Sequence, residues 1–200
     1  MGVYEHTDAR RLGAAMVNLA LSAAQLVLAL VLVGLNGFFV AAEFAFVRVR
    51  GTSVEQLADE GKAGAGSLQA VMADLDNYLA VTQLGITLAS LGLGWVGEPA
   101  VAALLEPVLA PVLPETLLHV VAFAVGFTII TFLHVVFGEL APKTFAIAQT
   151  ERLSLLLAPP MKLFYYLFYP GIVVFNGSAN AFTQLLGVPP ASETDETLGE

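Results

Sequence analysis

The chain has 200 residues, of which 57% are hydrophobic and only 12% charged, and its mean hydropathy is +0.78. A soluble globular domain carries about 25% charged residues, so composition excludes an ordinary water-soluble domain. The net charge of −9 leaves no basic surface for nucleic acid, and the absence of cysteine excludes disulfides and thiolate metal sites.

Residues 1–15 carry Glu5, Asp8, Arg10 and Arg11 and read as a polar N-terminal segment. Residues 16–47 then form an apolar stretch with no charge before Glu43. A membrane helix needs about 20 apolar residues; a signal-peptide core has only about 7–15, so this stretch predicts a first span. Residues 54–75 mix apolar and polar side chains and predict one or two short helices, broken near residues 61–66, where three glycines fall. Second and third spans are predicted over 78–96 and 117–137. Residues 153–175 are apolar but interrupted by Pro159, Pro160, Lys162 and the pair Pro170-Gly171, and they carry Tyr165, Tyr166 and Tyr169. Tyrosines favour the headgroup level, so this stretch is expected to lie in the interface, with 181–188 continuing it. Residues 189–200 are polar and acidic and read as a linker.

Basic residues set the orientation. Arg48, Arg50 and Lys62 follow the first span, and Lys143, Arg152 and Lys162 follow the third, while residues 97–116 have no Lys or Arg. The positive-inside rule puts the basic segments in the cytoplasm, which predicts three crossings, an outer N-terminus and a cytoplasmic C-terminus. Arg10 and Arg11 run against the rule. The expected fold is an all-α, multi-pass membrane protein: three transmembrane helices, short cytoplasmic helices and one helix along the membrane surface.

Polar residues inside spans are costly and point to function. Asn36 and Glu43 share one face of the first span. Gln83, Thr87 and Ser90 share a face of the second, and Thr128, Thr131 and His134 lead towards Gly138 and Glu139 in the third. Three polar stripes predict a shared, wet interior. Pro142 has no N–H and leaves the carbonyl of Gly138 without its helical donor. A free carbonyl beside the Glu139 carboxylate suits a hard cation such as Mg2+, which takes oxygen ligands. Plainer roles stand beside these. Thr128 and Thr131 equally well bond their own backbone, and His134 reads as an interhelical hydrogen-bond partner rather than a ligand. Lys143 reads as an end-of-span snorkeller or a partner of Glu139, and Glu43 is balanced between a site role and pairing with Arg48 or Arg50. Gln83 equally fits a dimer contact, and Trp95 an interface anchor.

Three strings carry a family resemblance. Asn36-Gly-Phe-Phe-Val-Ala-Ala-Glu43-Phe-Ala-Phe-Val-Arg-Val-Arg50 resembles the first span of cyclin-M/CorC transmembrane domains, in their bacterial hemolysin-like subgroup. Asn77-Tyr-Leu-Ala-Val-Thr-Gln-Leu-Gly-Ile-Thr-Leu-Ala-Ser-Leu91 resembles the second span, and Phe137-Gly-Glu-Leu-Ala-Pro-Lys143, the most specific, the third. The resemblance implies a homodimer with three membrane helices and a juxtamembrane belt helix per subunit. It implies Mg2+ export across the plasma membrane, with Na+ as driving ion and no enzymatic step. It also implies cytosolic regulatory domains beyond residue 200, towards which 189–200 would lead. Carried onto this chain, the family's central cation site falls on Asn36, Glu43, Ser90, Gly138 and Glu139. Val40, Ala41 and Ala42 stand where many members have serines, and Ile86 and Ser90 where some have asparagines, which implies a thinner coordination shell. A non-conducting membrane scaffold or sensor of divalent-cation homeostasis is the alternative from another class. No protease signature such as His-Glu-x-x-His is present.

Overall fold

The computed structural model describes residues 2–187, with side chains from residue 20 onward. Among the described residues every regular element is a helix. Helix α1 is Gly2–Arg48, α2 Gly51–Asp59, α3 Ala65–Ala73, α4 Leu75–Leu109 and α5 Glu115–Leu133. A π-helical turn, His134–Leu140, leads from α5 into α6, Ala141–Ala148, and α7 is Thr150–Leu185. The backbone of the expected N-terminal segment at 2–15 belongs to α1. The expected linker at 189–200 lies outside the described residues.

Three helical stretches are long and apolar enough to cross a membrane: Ala20–Arg48, Leu75–Leu109 and Glu115–Ala148. Only 33%, 28% and 17% of their most apolar windows are buried within the chain. The remaining apolar surface, with Leu30, Leu91, Phe123 and Phe132 among its exposed side chains, is matched to lipid. The chain is a multi-pass membrane protein.

The second span is longer than predicted. Residues 97–109, expected as a loop, extend α4 through Pro99 and Pro107, so the connection to α5 is only residues 110–114. Each proline removes one ladder bond, but in a bilayer helix is the cheapest way to satisfy the remaining backbone groups.

A second expectation is also corrected: the prolines do not break 153–175. Helix α7 runs unbroken for 36 residues with Pro159, Pro160 and Pro170 inside it. Pro159 frees the carbonyl of Leu155, and α3 packs against α7 there. Gly64, at φ +90°, starts α3 with its backbone against that carbonyl, where a Cβ would collide with the Leu155 oxygen. The proline and the glycine are therefore two halves of one contact. The predicted break between α2 and α3 is present, and its two turn glycines, Gly61 and Gly64, both adopt positive φ.

The chain forms two compact units. One combines the chain up to Gly37 with Thr87–Pro142; the other combines Phe38–Ile86 with the chain from Lys143. The first has a small core of Ala29, Val33, Leu93 and Ile130. Its helices approach closely: a Cβ on Gly126 would lie 3.2 Å from the Ala102 nitrogen, the kind of contact small residues permit in membranes. The second has the larger core, centred on Phe46, Leu68, Val71, Val81 and Met161. The Phe39 ring there sits edge-on to Phe164 at 4.8 Å, in space left by Gly85.

Candidate functional site

In the first unit the third span changes its winding at His134–Leu140. The Ala141 N–H reaches back five residues to the Val136 oxygen, which is the π pattern. One residue later Pro142 has no N–H to offer Gly138, so that carbonyl needs a donor from elsewhere. Helix α1 supplies it. Gly37 lets α1 come close, since a Cβ there would lie 2.9 Å from Pro142 Cγ and 3.1 Å from the Phe137 oxygen. Asn36, next to it and 1% exposed, donates from Nδ2 to the Gly138 oxygen at 2.9 Å.

The network continues through α4. Ser90 Oγ lies 3.0 Å from Asn36 Oδ1 and 3.2 Å from His134 Nε2. Its polarity follows from one fixed end. A carbonyl oxygen only accepts, so the Asn36 amide must turn Nδ2 to Gly138 and Oδ1 to Ser90. Oδ1 also only accepts, so Ser90 must spend its single proton there. His134 Nε2 is then the donor to Ser90. The order is His134 to Ser90 to Asn36 to Gly138. Among the described residues no buried side-chain nitrogen or oxygen lacks a partner. Gly138 is confined too: a Cβ would meet His134 Cδ2 at 3.0 Å and Asn36 Nδ2 at 3.2 Å.

Three of the five expected site residues, Asn36, Ser90 and Gly138, are thus brought together, and His134 holds the hydrogen-bonding role read for it. Glu139 is not drawn in. Its side chain is exposed and makes no ion pair among the described residues. Glu43 belongs to the second unit. Its Oε2 lies 3.4 Å from Thr82 Oγ1, which donates to the Leu79 carbonyl at 2.7 Å. Thr82 has one proton and the shorter contact takes it, so Glu43 is loosely held. No ion pair joins Glu43 to Arg48 or Arg50 among the described residues. Lys143 is not Glu139's partner: its ammonium lies 4.4 Å from the centre of the Phe44 ring.

The polar stripes fare unequally. Gln83 and Thr87 are exposed on α4, and Thr128 and Thr131 on α5. Thr128 donates to its own Ala124 carbonyl at 2.8 Å, and the inward face of α5 is Ala122, Gly126 and Ile130. Sequence reasoning missed Thr82, which is fully buried, and Ser154, whose Oγ donates to the Ala45 carbonyl at 3.2 Å. Thr82 was recoverable: Tyr78, Thr82, Gly85, Ala89 and Leu93 form the buried row of α4 at helical spacing.

The cluster offers neutral oxygens and an imidazole; among the described residues no group of three His, Cys, Asp or Glu side chains converges. Asn36 Oδ1, Ser90 Oγ and the Gly138 carbonyl each keep a free lone pair, the donor type of a hard cation.

The Cyclin M transmembrane N-terminal domain family matches residues 27–200. The chain is 52% identical over 176 residues to the UPF0053 protein YhdT of Bacillus subtilis, covering 88% of this chain and 38% of that protein. It is 44% identical over 177 residues to the UPF0053 protein YugS of the same organism, covering 88% and 41%. An uncharacterized protein of Mycobacterium tuberculosis is 43% identical over 169 residues, covering 84% and 48%. The chain therefore spans less than half the length of these relatives. Three apolar spans and a family match over nearly the whole chain, with relatives up to 52% identical, make this protein a member of the cyclin M transmembrane family.

Proposed function

We propose that this domain carries Mg2+ across the plasma membrane as the conducting part of an exporter driven by inward Na+, and that it is not an enzyme. The observation that supports this most is the Gly138 carbonyl, freed by Pro142 and met by Asn36, which Ser90 holds in turn, inside a spanning bundle. Mg2+ prefers about six oxygens at roughly 2.0–2.1 Å and gives up water reluctantly. Three neutral oxygens hold a partly hydrated ion, and Glu139, adjacent to the carbonyl, supplies the charge that offsets dehydration. Glu43, in the second unit, is a further candidate carboxylate for Mg2+. The functional protein is a homodimer with an outer N-terminus, a cytoplasmic C-terminus and cytosolic regulatory domains further along the full chain.

One observation favours a second reading. The cluster is fully hydrogen-bonded within the chain and its acids stand outside it, as in a packing device of a non-conducting sensor. Liposomes loaded with a Mg2+ indicator separate the two. The purified chain, Asn36→Leu and Glu139→Gln are compared with and without an opposing Na+ gradient. Na+-dependent flux in the wild type that falls at least tenfold in both variants is the expected result. Full flux in Glu139→Gln removes that residue from the path. No flux from folded wild-type protein supports the sensor reading.

A further inference from the structure

Two neighbouring cavities in the second unit have no part in the proposed ion path. The first is a cleft of about 420 Å³ where α1 ends, lined by Arg48, Arg50 and Ser53 from the α1–α2 corner and by Thr150 and Glu151 from the start of α7. The second is a groove of about 550 Å³ lined mainly by Leu57, Leu155, Leu156 and Pro159, with Arg152 among its walls. Glu151 lines both, so the two adjoin.

The charge distribution marks the cleft. Among the described side chains Lys62 pairs with Glu60 at 3.5 Å, Lys143 lies over Phe44, and Lys162 makes no ion pair but lines neither cavity. The three described arginines, Arg48, Arg50 and Arg152, make no ion pair among the described residues, and all three line these two cavities. Ser53, half-buried in the cleft wall, has no hydrogen-bond partner among the described residues either, whereas the Thr150 hydroxyl is spent on the Ala146 carbonyl at 2.9 Å. Glu151 opposes an anion, but its one charge faces two arginines in the cleft and a third in the groove. Guanidinium groups grip phosphate oxygens in pairs.

The cleft opens at Arg48, the last residue of the first spanning stretch, which is headgroup depth. A free phosphate would use the cleft alone. An apolar groove adjoining it fits a ligand that is anionic at one end and hydrocarbon at the other. We propose that this corner binds an anionic phospholipid, with its phosphate between Arg48 and Arg50 and an acyl chain along Leu57, Leu155 and Leu156. A lipid held there ties the end of the first span to the start of α7.

Native mass spectrometry of the full purified chain in detergent tests this, with phosphatidylglycerol and phosphatidylcholine titrated separately. Wild type should retain phosphatidylglycerol preferentially. Each arginine removed should weaken that binding about fivefold, so Arg48→Gln/Arg50→Gln should abolish the preference, while Lys62→Gln leaves it intact. Displacement by millimolar inorganic phosphate, with no effect of Leu155→Gln, would assign the cleft to free phosphate and overturn the lipid. Equal retention of the two lipids, or an unchanged preference in the double variant, would also overturn it. A second measurement needs no variant: phosphatidylglycerol with a photoreactive acyl chain should crosslink wild type within residues 57–64 and 151–159. Crosslinks found only elsewhere contradict the proposal.

Discussion

Asn36 is the residue on which the candidate site turns. Its amide serves two partners at once, and removal strands both the Gly138 carbonyl and the Ser90 hydroxyl. A buried polar group left unpaired costs about 1–3 kcal/mol. Asn36→Ala is expected to lower stability by that amount in detergent melts, and Ser90→Ala by less, since it leaves the Asn36–Gly138 bond in place. Tyr165 gives a pH signature away from the membrane spans. Burial, and then the hydrogen bond it donates to Asp74 at 3.0 Å, push its phenol from 10.0 up to about 12. The neutral phenol is the form the fold favours. Its contribution is complete below pH 10 and disappears as pH rises through 12. Alkaline unfolding should therefore steepen across that window in the wild type and less so in Tyr165→Phe. Neither the Asp74 partnership of Tyr165 nor the Ser154 bond to the Ala45 carbonyl was legible beforehand. Each depends on which face of a helix meets which neighbour, and a single polar residue does not state that.

At the scale of elements, the π turn and Pro142 form one device. Pro142→Ala restores an N–H that can bond the Gly138 carbonyl in the ordinary α pattern and compete with Asn36. The variant should fold as well as the wild type or better, yet lose Mg2+ flux; unchanged flux would show that the free carbonyl is dispensable. Gly64→Ala should do the reverse, costing stability through its positive φ and its contact with Leu155 while sparing any ion path. The freed carbonyl was legible because proline's missing N–H has a fixed consequence four residues back. Its partner was not, since pairing Asn36 with Gly138 spans 102 residues of sequence. Proline misled in α7, where the same rule predicted a break and the helix runs on through Pro159, Pro160 and Pro170.

For the whole molecule, three spans impose an odd parity. Residues 51–74 and the α7 region are expected on one side of the membrane, and residues 110–114 on the other. The chain has no cysteine, so single-cysteine variants report this cleanly. An impermeant maleimide should label Thr52→Cys and Ser178→Cys from the same side and Val112→Cys, at a site 77% exposed, from the opposite one. Labelling of Ser178→Cys together with Val112→Cys would mean that α7 crosses. Hydropathy made the spans readable because lipid exposure demands it of most side chains. It gave no hint of two compact units, since their boundaries cut through α1, α4 and α6.

The direction of the His134–Ser90–Asn36–Gly138 chain sets what the cluster can receive. Both protons that bind Ser90 into it, its own and the one from His134, are committed, as is the Asn36 N–H facing Gly138. Apart from the second N–H of Asn36, its unused valence is all lone pairs. It can serve a Lewis acid and has almost nothing for a Lewis base, so chloride or phosphate would be turned away by the same bonds that hold the helices together.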